Sequence, residues 1–205
     1  HANKITMLLS VLLLMMSGYK YWTWHNSKIQ QAASNAYEHL MYAYSNQDQK
    51  SIKAYAHEII SKYNQTVYTD VAHFVLAKTY ISHEKYEKAE QHLLEVLNHA
   101  HVDAFEQIAR MRLARLYALE KKYDDALTLL NDFASETYLP AVNEIKGDIY
   151  AAQGRYKEAV DAYKIAINAA KSKGMGNPFL EMKTSELVSL TQALSHPESV
   201  NHKVA

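Results

Sequence analysis

The chain has 205 residues, enough for one ordinary domain, and its 48% hydrophobic residues are sufficient for a buried core. Five Gly and three Pro disfavour a turn-rich sheet protein and favour helices. The 22 Lys and Arg balance the 22 Asp and Glu, which argues against nucleic-acid binding because such proteins usually carry a basic excess. No cysteine is present, so disulfides and thiol chemistry are excluded.

The amino-terminal segment, residues 1–25, is predicted to be a transmembrane anchor. Ile5 to Tyr19 is apolar and uncharged. Because about 20 residues are needed to cross a bilayer, the helix is predicted to extend through Trp24. Aromatic and basic residues then lie where a membrane interface is expected: Tyr19, Lys20, Tyr21, Trp22 and Trp24. The chain begins at His1 instead of Met, so we expect residues upstream.

Two other interpretations of this segment are weaker. A cleaved signal peptide needs small residues at its cleavage site, and Ser17-Gly18 followed by bulky aromatics offers a poor one. A core helix would show a polar face, and none is visible. The orientation is ambiguous from charge. Lys4 precedes the span while Lys20 and Lys28 follow it, which taken literally places the rest of the chain in the cytoplasm.

Residues 26–177 are predicted to form a series of helical hairpins. Ser27 to Tyr44 and Ser51 to Tyr63 each show a helical apolar stripe, and Asn46-Gln47-Asp48 separates them. This first pair has few of the residues that the later hairpins share, as expected of a terminal unit in a repeat array.

The later hairpins repeat one spacing of small and aromatic residues. In the clearest of them it comprises Gly147, Tyr150, Gly154, Tyr156, Ala159, Tyr163 and Ala166. Ala89, Ala126 and Ala159 are 37 and 33 residues apart, close to the period of about 34 in tetratricopeptide repeats. Lys146 departs from the pattern, which usually has Leu there. The sequence therefore predicts an all-α fold, a single amino-terminal transmembrane helix followed by a tetratricopeptide-repeat-like α-solenoid.

The carboxyl-terminal part, residues 178–205, is predicted to be a capping helix and a flexible tail. Asn177 is a good helix cap and Pro178 suits the first helical position. A helix from Phe179 to Leu194 would cover the open end of the stack. Beyond His196-Pro197 we expect a disordered tail.

No sequence pattern of a catalytic or metal site is evident. The 11 histidines include His83, His92, His99 and His101, but no pair is spaced as ligands on one helix face, and solvated histidines are the preferred interpretation. A Gly-rich phosphate loop and a Gly-x-Ser-x-Gly turn are both lacking. We predict no catalytic residue, metal or cofactor, and an enzyme is the alternative class.

The first helix of each hairpin is predicted to line a groove for protein partners. The groove residues are Phe74, Lys78, Met111, Arg115, Glu144 and Asp148. Lys78 and Arg115 occupy equivalent positions and Asp148 is acidic, so the groove could orient a bound peptide. A solvated face of mixed charge is the equal alternative. Clamp-type repeats that hold a terminal carboxylate use Asn, and the corresponding Val75, Arg112 and Ile145 argue against that mode.

The layout resembles the YfgM-type ancillary subunit of the SecYEG translocon over nearly the whole chain. The most specific pieces are the aromatic and basic exit of the span, residues 18–25, and the helix at residues 110–116. The Ala-rich segment at residues 31–37 and the hairpins that follow complete the similarity.

The resemblance implies a single-pass protein of the bacterial inner membrane with its repeats in the periplasm, against the count of flanking charges. It implies no catalytic residues. It also implies association with the SecYEG translocon, with a membrane-anchored periplasmic chaperone of the prolyl-isomerase-like type, and with lipid through the amino-terminal helix. The acidic segment typical before the span would lie upstream of His1. The alternative is an envelope-complex assembly scaffold that uses the same groove for another protein partner.

Overall fold

The computed structural model describes residues 2–131, 133 and 136–195, and within these ranges all regular structure is helical. The elements are α1 (Ala2–Ser45), α2 (Gln49–Lys62), α3 (Val67–Ile81), α4 (Tyr86–His99), α5 (Asp103–Leu119), α6 (Tyr123–Leu129), a 3-10 turn (Glu136–Tyr138), α7 (Leu139–Ala152), α8 (Tyr156–Lys171) and α9 (Pro178–Ser195). The predicted all-α class is confirmed. The tail expected beyond His196 lies outside the described residues.

Helix α1 joins the predicted anchor and the first repeat helix into one uninterrupted element of 44 residues. Its carboxyl half is packed, with Ala33 and Leu40 fully buried. Side chains 11–22 are all exposed. Among the helices of the described ranges, none combines the length and the hydropathy required to cross a membrane.

The helices form two compact units that divide after Phe105, within the first turn of α5. In the first unit α3 packs against α1, α2 and α4. In the second unit α7 packs against α6 and α8, and α8 packs against α9. The domain boundaries expected after residues 25 and 177 stay predictions.

A left-handed residue closes each of four helical hairpins. These residues have φ between 56° and 75°: Gln47, Glu84, Lys121 and Gly154. In every case the next amide donates to the carbonyl five residues earlier, as Arg155 N does to Tyr150 O at 2.8 Å. This bond satisfies a carbonyl at the helix end. Among these four turns the last uses glycine, the residue that adopts the conformation without steric cost, and Gly174, with φ 70°, ends α8 in the same way.

The repeated small residues lie where two helices meet. Ala89, Ala126 and Ala159 are all fully buried, as the shared spacing predicts. Gly147 faces the ring of Tyr163 across α7 and α8, and a Cβ atom at residue 147 would lie 2.9 Å from Tyr163 Cζ and still closer to Cδ1 and Cε1. The small residues therefore set how closely the helices approach each other.

Helix α9 begins as predicted. The Asn177 Oδ1 atom accepts a hydrogen bond from the Leu180 amide at 3.1 Å, and Pro178 is the first helical residue. Leu180 is buried with Ala159 and Tyr163 of α8, so α9 covers that side of the α7–α8 hairpin. The predicted cap at Asn177 is confirmed.

Candidate functional site

A pocket of about 710 Å³ in the first unit lies beside the carboxyl ends of α1 and α3 and the start of α2. We call it the Lys78 pocket. Its lining residues are mostly polar: Tyr44, Ser45, Gln47, Gln49, Ile52, Lys78, Thr79, Ser82 and His83. Lys78 is the one Lys, Arg, Asp or Glu side chain in this lining. The pocket therefore favours a ligand group of negative charge.

One wall of the Lys78 pocket is fixed by the cap of α2. The Asp48 carboxylate accepts hydrogen bonds from the amides of Lys50 and Ser51 at 3.1 and 3.2 Å, and from the Ser51 hydroxyl at 2.6 Å. The hydroxyl bond, followed by the bond from the Ser51 amide, lowers the pKa of Asp48. Because α2 is anchored at its first turn, Gln49 and Ile52 have defined positions in the wall.

Lys78 joins the two walls of the pocket that α1 and α3 form. It lies in the last turn of α3, and its Nζ atom is 5.3 Å from the centre of the Tyr44 ring on α1. This distance permits a cation–π contact. Lys78 is exposed, so its ammonium group remains accessible to a ligand.

Two further polar side chains line the Lys78 pocket, but the polar atoms described for them are not available to a ligand. The His83 Nδ1 atom lies 2.8 Å from the Thr79 carbonyl oxygen, so Nδ1 carries the hydrogen and donates it. The Gln49 Oε1 atom is buried and has no hydrogen-bond partner among the described residues. The exposed ammonium group of Lys78 complements a carboxylate, a group that a peptide carries.

Phe74, the other predicted groove residue of the first unit, packs inward. Its side chain is only 7% exposed and meets the Phe105 ring edge to face, with ring centres 5.8 Å apart. Phe74 therefore stabilises the first unit and presents little surface to a partner.

The remaining predicted groove residues belong to the second unit and differ in exposure. Met111 is 8% exposed and packs with Ile145 in a core cluster, whereas Arg115 is exposed and Glu144 is partly buried. Because the six predicted residues are divided between the two units, the continuous groove stays a prediction.

Asp148, the sixth of these residues, is part of a network that joins α7, α8 and α9. Its Oδ1 atom accepts a hydrogen bond from the Tyr163 hydroxyl at 2.6 Å and another from Lys183 Nζ. Burial, together with the bond to Asp148, raises the pKa of Tyr163 to about 12. The charge of Asp148 is thus paired with Lys183.

Sequence reasoning missed the role of Lys183, although a signal existed. Once α9 begins at Pro178, the helical period places Leu180, Lys183 and Thr184 on one face. Leu180 and Thr184 are both buried, so this face is the one that packs on α8.

The predicted membrane-interface residues all lie on the exposed part of α1. Tyr19, Tyr21, Trp22 and Trp24 are each more than half exposed, and Lys20 is exposed as well. The apolar side chains before them are equally uncovered, with Leu13 at 64% and Leu14 at 73%. Consecutive positions on a helix point about 100° apart. Apolar surface therefore surrounds α1 instead of forming one stripe.

The expectation of solvated histidines is wrong for His73 and His92. His73 is 9% exposed and His92 is partly buried, because α3 and α4 pack these side chains against each other. Their Nδ1 atoms are 3.0 Å apart. Within the described ranges, no three His, Asp or Glu side chains are arranged to hold a metal ion.

Comparison with known proteins accounts for this architecture. The family model of the tetratricopeptide repeat-like domain matches residues 1–189. The chain belongs to this tetratricopeptide repeat-like family. Its hairpins, with their buried alanines and recurrent turns, are the repeats that the sequence pattern predicts.

A curated relative supports a narrower resemblance. A Neisseria gonorrhoeae protein named "Ancillary SecYEG translocon subunit" is 28% identical to this tetratricopeptide repeat-like chain over 184 residues, or 88% of each protein. Together with the family match, this confirms the resemblance to YfgM-type ancillary subunits. No solved structure matches the chain significantly.

Proposed function

We propose that the protein is a non-catalytic scaffold of the bacterial inner membrane that binds protein partners at the periplasmic exit of the SecYEG translocon. It would assist secreted proteins there together with a membrane-anchored, prolyl-isomerase-like periplasmic chaperone. The observation that carries the proposal is the similarity to a translocon subunit over 88% of both chains. An alignment of 184 residues is too long for the hairpins of residues 26–177 alone, so it also includes residues outside them.

The exposed half of α1 supports anchoring in the membrane. Apolar side chains that surround a helix are stable in lipid, where no polar face is needed. Trp22 and Trp24 follow the apolar stretch and suit the lipid–water boundary. Large domains cross the membrane largely regardless of flanking charge, so Lys20 and Lys28 are compatible with a periplasmic repeat domain.

The anchor makes a first prediction testable by cell fractionation. Leu13→Arg places a charge in the apolar stretch, which costs about 3 kcal/mol at the centre of a membrane helix. We expect the membrane-bound fraction to fall at least tenfold, whereas the control Leu13→Ala leaves most of the protein in the membrane. Unchanged sedimentation of Leu13→Arg with the membranes would contradict the anchor.

The Lys78 pocket is the surface that we propose contacts a partner. Its lysine side chain fits a peptide segment that bears a carboxylate. The sequence predicted Lys78 as a groove residue, and Lys78 is indeed exposed on α3, the first helix of a hairpin.

Site-specific photo-cross-linking in intact cells tests the partners. Probes replace Trp22 on α1 and Ser45 in the Lys78 pocket, and a control probe replaces Glu87, an exposed residue of α4 in the same unit. We expect translocon subunits or the chaperone at the first two positions. Because charge complementarity is lost, Lys78→Glu should reduce the Ser45 cross-links about fivefold to tenfold, while Lys78→Arg retains them.

Each other outcome has a distinct meaning. Recovery of only cytoplasmic proteins at Ser45 would show that the repeat domain faces the cytoplasm and would refute the proposed function. Envelope-assembly proteins in place of translocon subunits would favour the alternative scaffold. Equal cross-linking by wild type and Lys78→Glu would exclude the Lys78 pocket as the contact surface.

A further inference from the structure

Histidines from three helices interact in the first unit. His73 on α3 and His92 on α4 share a contact of 3.0 Å between their Nδ1 atoms. His57 on α2 is close enough to disfavour the charged form of both rings. The His92 ring also lies parallel to Tyr80, with ring centres 5.5 Å apart and 2° between the planes. The histidines thus form part of the packing between these helices.

The Nδ1–Nδ1 contact limits how many protons the pair can hold. A hydrogen bond between two imidazoles requires one nitrogen to donate and the other to accept. His73 and His92 can therefore both be neutral, or one ring can be charged and donate to the other. When both are charged, two N–H groups face each other at 3.0 Å and the bond is lost.

Burial opposes double protonation of the pair, whereas the surrounding charges act in both directions. Titratable and charged groups from each packed element face this cluster: Lys53 and His57 from α2, Asp70 from α3, Lys88, Glu95 and His99 from α4, and His101 from the loop after α4. Lys53 and Lys88 both lie 5.7 Å from the centre of the Tyr80 ring on which His92 stacks.

The buried carboxylate among these groups, that of Asp70, already accepts two hydrogen bonds. Asp70 accepts hydrogen bonds from the His101 backbone amide and from His101 Nδ1, both at 2.9 Å. Asp70 favours a charge on His73, and Glu95 favours one on His92. Burial has the larger and opposite effect on each ring, and lowers both pKa values.

We propose that the α3–α4 hairpin is an acid-sensitive clasp, closed while at least one of His73 and His92 is neutral and loosened when both rings are protonated. Loosening would separate α4 from α3, the helix that carries Lys78. This inference goes beyond the proposed function and does not depend on which partner the Lys78 pocket binds.

The direction of the pH dependence follows from proton binding. Burial, then the neighbouring His73 and His57, lowers the pKa of His92 from 6.5 to about 4. In the unfolded chain a histidine titrates near 6.5, so between these values the unfolded state binds more protons. The stabilising contribution is therefore complete above about pH 6.5 and is lost progressively as the pH falls towards 4.

Hydrogen–deuterium exchange of the full-length protein in membranes tests the clasp. After correction for intrinsic rates, we expect exchange in α3 and α4 to rise about tenfold between pH 7 and pH 5. Helices α7 and α8 contain no histidine and serve as an internal reference. His92→Phe keeps a ring against Tyr80 but cannot titrate, so its response should be clearly smaller than that of the wild type, and the remainder comes from His73. The control His25→Gln, at an exposed residue of α1, should respond like the wild type.

A parallel rise in α7 and α8, or none in α3 and α4, would overturn the proposal. So would an unchanged response in His92→Phe. If that variant does not fold, nitrogen NMR of labelled histidines in the wild type decides. Titration of both His73 and His92 near pH 6.5 would refute the clasp, and retention of a neutral ring at pH 5 would support it.

Discussion

Replacing Tyr163 by alanine is expected to lower the free energy of unfolding of the second unit by about 3–5 kcal/mol. Tyr163 is fully buried, and its ring fills the space that Gly147 leaves between α7 and α8. The substitution leaves a cavity, because helices held by several other contacts collapse only partly. A domain of ordinary stability, about 5–15 kcal/mol, would lose a large part of it.

The matched variant Tyr163→Phe separates packing from hydrogen bonding. It keeps the ring and removes only the hydroxyl that donates to Asp148, and Asp148 still accepts from Lys183. We expect a loss of about 1–2 kcal/mol. Urea denaturation followed by circular dichroism measures both variants, and hydrogen exchange in α7 and α8 assigns the loss to the second unit. A loss below 1 kcal/mol for Tyr163→Ala would contradict the assigned packing role.

The second large effect concerns Gly147. In most helix interiors Gly→Ala stabilises by up to about 1 kcal/mol. Here the added methyl group would lie within 3 Å of three Tyr163 ring atoms, and the buried ring has no free space to enter. Either α7 and α8 separate or the ring leaves its position and strains its bond to Asp148. We therefore expect Gly147→Ala to destabilise by about 2 kcal/mol.

A double-mutant cycle tests the cause of that loss. In a Tyr163→Leu background the ring is absent, so the additional cost of Gly147→Ala should fall below about 1 kcal/mol. Gly18→Ala is the control, since nothing lies within 4 Å of a Cβ atom at that residue of α1. Equal effects of Gly147→Ala with and without the Tyr163 ring would show that the clash is not the cause.

Much of the fold was predictable because the repeat reports directly on packing. Ala89, Ala126 and Ala159 recur at nearly constant spacing, and each is buried at a helix contact. Asn177 was predictable as a cap because its local chemistry is specific. The turns at Glu84 and Lys121 were less visible, since tertiary packing holds ordinary residues in a left-handed conformation for which only glycine gives a clear signal.

The candidate site was less predictable, because helical register gives the direction of a side chain but not what covers it. Register placed Phe74 and Lys78 on the same helix, yet Phe74 is buried against Phe105 and Lys78 is exposed. The His73–His92 contact joins residues 19 positions apart, and no local pattern marks it. Such contacts depend on how two helices are placed, which the sequence of either helix does not report.

The continuity of α1 has a geometric consequence for the proposed anchor. A helix of 44 residues is about 66 Å long, and each residue turns it by about 100°. No flexible joint lies between Trp24 and Ala33, so the azimuth of the first unit about the membrane normal depends on the number of residues between them. A two-residue insertion would turn the Lys78 pocket to nearly the opposite side, whereas seven residues would restore its heading to within about 20°. The number of residues in this segment therefore sets the direction in which the Lys78 pocket faces as well as its distance from the membrane.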